Sequence, residues 1–128
     1  MPKLRILLIE DNADTRDALR ALLELDGYAV ETAAEGQAGL ERARAADPDV
    51  ALIDIGLPGF DGYEVARRMR PAGQRRPVLV ALTGYSQPED RRRAREAGFD
   101  AHLVKPVDPA DLSRVLMNLE IPGPGSRG

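Results

Sequence analysis

The chain has 128 residues, 43% hydrophobic and 30% charged, with a formal net charge of −3. It has no cysteine, no tryptophan and a single histidine, His102. That excludes disulfides, thiolate nucleophiles and multi-histidine metal sites, and the acidic balance argues against general nucleic-acid binding.

One domain fits this length, and the longest apolar runs fall far short of a membrane span. Leu4–Ile9 opens the chain as a strand-like run, without the apolar region of a secretion signal. Ala18, Leu19, Leu22 and Leu23 then share one helical face, closed by Asp26-Gly27. Tyr28–Thr32 reads as a second strand, and Leu40 with Ala43 as a weaker helix ending at Asp47-Pro48. Val50–Ile53 is the third apolar run. Val65, Ala66 and Met69 form the next helical face, before Arg70-Pro71. Val78–Leu82 follows, then the poorest helix, Glu89–Ala97, with only Ala94 and Ala97 on its apolar side, closed by Gly98. Ala101–Val104 is the fifth run, and Leu112, Val115, Leu116 and Leu119 give the last helix its i, i+3, i+4, i+7 stripe. Residues 1–120 are expected to form the domain. Residues 121–128, with Pro, Gly and Ser, are expected to be a flexible tail or the stub of a linker.

The runs are rich in Val, Ile and Leu and alternate little, as strands covered on both faces do, and no hairpin signal joins consecutive strands. Strand–helix repeated five times with right-handed crossovers predicts an α/β fold, a doubly wound parallel sheet with helices on both faces. Sites in such sheets form at the carboxyl ends of the strands. There stand Glu10 and Asp11 after the first run, Asp54 after the third, Thr83 and Gly84 after the fourth, and Lys105 and Pro106 after the fifth. Three crowded carboxylates repel one another, and a hard divalent cation such as Mg2+, bound through oxygen, resolves this. A carboxylate so placed can act as a nucleophile toward a phosphoryl group, with Lys105 neutralising charge and Thr83 donating a hydrogen bond.

The order Glu10-Asp11, Asp54, Thr83, Lys105-Pro106 resembles the receiver domain of two-component response regulators, over residues 3–120. The segments DIGLPGFDGYEVARR and DAHLVKP look most like receivers associated with hybrid sensor histidine kinases. The resemblance implies a flavodoxin-like five-stranded sheet of order 2-1-3-4-5. It implies that Asp54 accepts a phosphoryl group from a phosphohistidine, and that Glu10, Asp11, Asp54 and the backbone carbonyl of Gly56 hold Mg2+. It further implies that Thr83 and Lys105 contact the phosphoryl group and that the Lys105-Pro106 bond is cis. The protein is then a cytoplasmic phosphoacceptor that assists its own phosphorylation and dephosphorylation, not an enzyme acting on a separate substrate. Its expected partners are a histidine kinase or histidine phosphotransfer protein and a downstream protein or effector domain. No direct contact with nucleic acid or membrane is expected, and the chain is expected to be a monomer or weak homodimer.

His102 departs from the family pattern, which has Tyr or Phe there. With Thr83 it is the expected switch pair, now with a group that titrates near neutral pH. Tyr85 is expected to shield the acyl phosphate from water. Arg91, Arg92, Arg93 and Arg95 read either as a solvated helix face or as a partner-docking surface. Two other readings use the same residues: an interaction module independent of phosphorylation, and an Asp-nucleophile phosphohydrolase. The second is disfavoured because Gly56 stands where a second Asp should act as acid and base. A nucleotide-binding module is disfavoured because Glu10-Asp11-Asn12 would repel phosphate after the first strand.

Overall fold

A computed structural model describes residues 4–59, 61–71, 73–74, 76–84 and 88–121. Five strands, β1 (Arg5–Ile9), β2 (Ala29–Ala33), β3 (Val50–Asp54), β4 (Val78–Thr83) and β5 (Ala101–Val104), alternate with five helices. The helices are α1 (Ala13–Leu25), α2 (Gly36–Ala46), α3 (Gly62–Met69), α4 (Pro88–Ala97) and α5 (Pro109–Asn118). All strand pairs are parallel, as the apolar runs predict, and the order is β2-β1-β3-β4-β5, as the resemblance implied. The expected tail at 121–128 falls outside the described residues except for Ile121.

The period-two alternation of each strand sorts its side chains between two apolar layers. Leu7, Ile9, Ala51, Ile53, Leu79 and Ala81 meet Leu40 of α2, Val65 and Ala66 of α3, and Ala94 and Ala97 of α4 on one face. Ile6, Leu8, Leu52, Val80 and Leu82 meet Leu19 and Leu23 of α1 and Leu112 and Leu116 of α5 on the other. The central strands β3 and β4 are buried along their whole length, whereas the edge strand β2 alternates and buries only Ala33 fully. The expectation of two-sided cover therefore holds for β3 and β4 and fails at both edges of the sheet, in β2 and in β5.

Caps fix where helices begin. Asn12 accepts from the Thr15 N–H at 2.9 Å, Asp61 from the Glu64 N–H at 3.1 Å, and Asp108 from the Ala110 N–H at 2.7 Å. Gly27 and Gly98, with φ of 96° and 105°, follow α1 and α4 in a conformation that favours glycine. Arg76 is a buried cation, held at 2.9 Å from Asp49 Oδ1, and ties the segment before β4 to the turn before β3. No helix among the described residues is long and apolar enough to cross a membrane.

Candidate functional site

The strand order reverses between β1 and β3, and the carboxyl ends of these strands carry the acidic residues singled out in the sequence. Glu10 follows β1, fully buried; its backbone N–H donates to the Ala33 carbonyl at 3.0 Å. Asp11 follows it, exposed. Asp54 ends β3 and is 5% exposed. One carboxylate oxygen from each of these three residues lies within 4.8 Å of the other two. From the end of β5, Lys105 Nζ reaches Glu10 Oε1 at 2.6 Å and Asp54 Oδ1 at 3.2 Å. Thr83 ends β4, buried, and its carbonyl accepts the Lys105 backbone N–H at 2.7 Å. The Lys105-Pro106 peptide is cis, as the resemblance implied. The structure thus brings Glu10, Asp11, Asp54 and Lys105 together and sets Thr83 one strand away from Asp54, on the same edge.

Local bonds hold this arrangement. The Gly56 N–H donates to Asp54 Oδ1 at 3.0 Å, fixing the carboxylate against its own turn. The Asn12 N–H donates to Glu10 Oε2 at 3.2 Å. Arg16 of α1, half-buried, donates through Nη1 to the Glu10 carbonyl at 3.0 Å. This sets a second cation at the rim of the site, on the polar side of the amphipathic α1. Leu57 is buried and Gly59 has a φ of 80°, so the loop after Asp54 is shaped rather than open.

The charges are coupled. Burial pushes the Glu10 carboxyl up, and Asp54 beside it adds to that, against the opposing pull of Lys105. Burial also disfavours the Asp54 carboxylate, but hydrogen bonds from Glu10 and the Gly56 N–H, with Lys105 beside it, outweigh that and hold its carboxyl below the usual range. Burial likewise opposes the Lys105 ammonium, and the two carboxylates outweigh it. The pocket therefore presents an ionised Asp54 next to a Glu10 that resists ionisation.

A cation site fits these donors. Glu10 Oε1 is buried, and apart from its ion pair with Lys105 it has no aligned hydrogen-bond donor. Three clustered carboxyl groups, of which Glu10 and Asp54 share the Lys105 ammonium, offer the oxygen donors a hard divalent ion seeks, and its charge would favour their ionised forms.

His102 sits on β5, partly buried. With Thr83, Ala81, Tyr63, Asp90, Arg91 and Ala94 it lines a small cavity under α4. Burial, and then the positive charges of Arg91 and Arg95, hold its imidazole below the ordinary value of 6.5. The unfolded chain therefore takes up this proton first as pH falls, so the contribution of neutral His102 to stability is present above the unfolded pKa and lost below it. Urea unfolding midpoints should drop more steeply for the wild type than for His102→Gln between roughly pH 7.5 and 5.5; equal slopes would contradict this placement. Tyr85 lies outside the described residues.

Comparison with known proteins places this geometry. Residues 6–117 match the model of the response regulator receiver domain. The chain is 34% identical over 125 residues to response regulator MprA of Mycolicibacterium vanbaalenii, covering 95% of this chain and 54% of that protein. It thus spans about half the length of that curated relative. Among solved structures it resembles the chemotaxis response regulator CheY4 of Vibrio cholerae, with a TM-score of 0.85 at 30% identity over 91% of this chain and 98% of that one. It also resembles the receiver domain of a sensor histidine kinase from Pseudomonas aeruginosa PAO1, with a TM-score of 0.81 at 34% identity over 91% of this chain and 96% of that one. That structure has a magnesium ion coordinated in its active-site cleft.

Proposed function

This chain belongs to the response regulator receiver domain family, and from that premise we propose that Asp54 is its phosphoacceptor. The observation that carries the reading is the cluster of Glu10, Asp11 and Asp54 carboxylates at the switch in strand order, with Lys105 paired to Glu10 and Asp54.

Glu10, Asp11, Asp54 and the backbone carbonyl of Gly56 would hold a Mg2+ ion. Bound there, Mg2+ would offset the charge of the carboxylates and of an incoming phosphoryl group. The Asp54 carboxylate, held ionised and aimed by the Gly56 N–H, attacks the phosphorus of a phosphohistidine. A P–O bond to Asp54 forms, the P–N bond breaks, and its electron pair leaves with the imidazole nitrogen. The Lys105 ammonium, already within 3.2 Å of Asp54 Oδ1, neutralises charge on the phosphoryl oxygens, and the Thr83 hydroxyl donates to one of them. Water attack on phosphorus later restores the carboxylate and releases phosphate. The chain is in this reading a cytoplasmic signalling phosphoacceptor and not a turnover enzyme: at Gly56 no side chain can serve as acid or base for a leaving group.

Phosphorylation shifts a two-state equilibrium in which Thr83 and His102 repack around their shared cavity and change the surface near α4. The donor is a histidine kinase or histidine phosphotransfer protein, and the output passes to a downstream protein or effector domain. Likeness to the receiver of a sensor histidine kinase supports a place beside, or within, such a kinase.

Intact-mass spectrometry after incubation with acetyl phosphate tests the reading. One phosphoryl adduct should form with Mg2+ and none with EDTA in its place. An adduct of equal yield with EDTA would sink the metal half of the proposal.

A further inference from the structure

The first turn of α3 lies directly on the backbone of the acceptor. A Cβ at Gly62 would stand 2.4 Å from the Asp54 carbonyl oxygen and 2.8 Å from Ile55 Cα, both backbone atoms that cannot swing aside. The Gly62 N–H donates to the Ile55 carbonyl at 3.1 Å, so contact and hydrogen bond tie the same two segments.

The residues on either side of Gly62 are both reached by one side chain from α4. The Arg93 guanidinium lies 4.3 Å from the centroid of the Tyr63 ring, and its Nη2 is 3.9 Å from Asp61 Oδ2. Asp61 is also the cap of α3, accepting the Glu64 N–H. Tyr63 is buried and meets the edge of Phe99, just past α4, with centroids 6.4 Å apart at 73°. Tyr63 is therefore held by Arg93 over its ring and by Phe99 at its edge. Arg92 is as exposed as Arg93, but its ion pair runs along its own helix to Glu96.

We propose that Arg93 is a positioning residue for the phosphoacceptor. It pins the first turn of α3 from α4, and that turn, through Gly62, sets the backbone of Asp54 to Gly56. The functional half of the proposal rests on the reading of Asp54 as acceptor. The consequence is a connection between α4 and the acceptor loop that does not pass through Thr83. An exposed cation–aromatic contact and an exposed ion pair are each modest, so the expected effect on phosphoryl uptake is roughly three- to tenfold.

The test uses the whole chain, labelled with 15N, as wild type, Arg93→Ala, Arg93→Lys and Arg92→Ala. Arg93→Ala should move the amide signals of Ile55, Gly56 and Gly62 and slow uptake from acetyl phosphate by that factor. Arg93→Lys should recover part of both, and Arg92→Ala should change neither. Thermal midpoints should stay close together, because both arginines are largely exposed. The proposal is overturned if Arg93→Ala leaves the Ile55 and Gly56 amides in place, or if Arg92→Ala moves them equally. A wild type that takes up no phosphoryl group would defeat the acceptor reading, and the amide signals would then decide the Arg93 clamp by themselves.

Discussion

Asp54→Ala should take up no phosphoryl group at any Mg2+ concentration while keeping its fold. The carboxylate is the nucleophile, and no neighbour replaces it. Glu10 is fully buried and resists ionisation, and Asp11 stands exposed in the turn between β1 and α1. The backbone does not depend on the side chain, because Asp54 pairs with Leu82 through the β3–β4 ladder and the Ile55 N–H donates to the Leu82 carbonyl at 2.9 Å. Mg2+ affinity should fall as well, since one of three carboxylates is lost. Circular dichroism, intact mass and calorimetric titration with Mg2+ measure the three parts. A phosphoryl adduct of wild-type yield on Asp54→Ala would remove Asp54 from the acceptor role.

Lys105→Met should separate cation binding from phosphoryl transfer, with opposite signs. In the wild type the ammonium sits 2.6 Å from Glu10 and 3.2 Å from Asp54 and cancels part of the charge that attracts a divalent ion. Removing it leaves a more negative pocket, so Mg2+ should bind about tenfold more tightly, the size of effect that one unit charge a few ångströms away has at a partly screened site. Phosphoryl uptake should slow by roughly a hundredfold, because a charge aimed at the developing phosphoryl oxygens is lost. The carbon stem of Met preserves packing against Pro106 and Val107, which with Lys105 border a groove along α1. Weaker Mg2+ binding together with slower uptake would indicate a collapsed pocket and contradict this division of roles. As pH falls the variant should also lose stability less steeply than the wild type, since Lys105 no longer helps hold the Asp54 carboxyl below its usual range.

Much of this site is legible in the sequence, because parallel sheets put chemistry at strand ends and the apolar runs mark where strands end. Glu10, Asp54, Thr83 and Lys105 each stand within one residue of such an end, and the order of the strands then brings them to one edge. The break at Gly98 is a local signal too. What could not be read is what depends on contacts far apart in the chain. Arg93 looks like one cation in a run of four; its partners Asp61 and Tyr63 lie about thirty residues earlier, and only the packing of α3 beside α4 brings them together. Gly62 reads as part of a helix start, whereas the space it leaves is filled by the backbone of Asp54. Arg76, in a polar stretch, gives no hint of burial, which follows from Asp49 facing it across the bottom of the sheet. The half-covered state of β2 is not legible, because Tyr28–Thr32 carries apolar residues whether or not a neighbour covers it.

The central claim is an acyl phosphate on Asp54, and its chemistry allows a direct test. An aspartyl phosphate is reduced by borohydride to homoserine, whereas a phosphoserine or phosphothreonine is not. The wild type should be phosphorylated with acetyl phosphate and Mg2+, reduced, digested and sequenced by tandem mass spectrometry. Homoserine at position 54 and nowhere else is the expected result. A phosphoryl group that survives reduction on a hydroxyl side chain, or homoserine at Asp11 in place of Asp54, would contradict it.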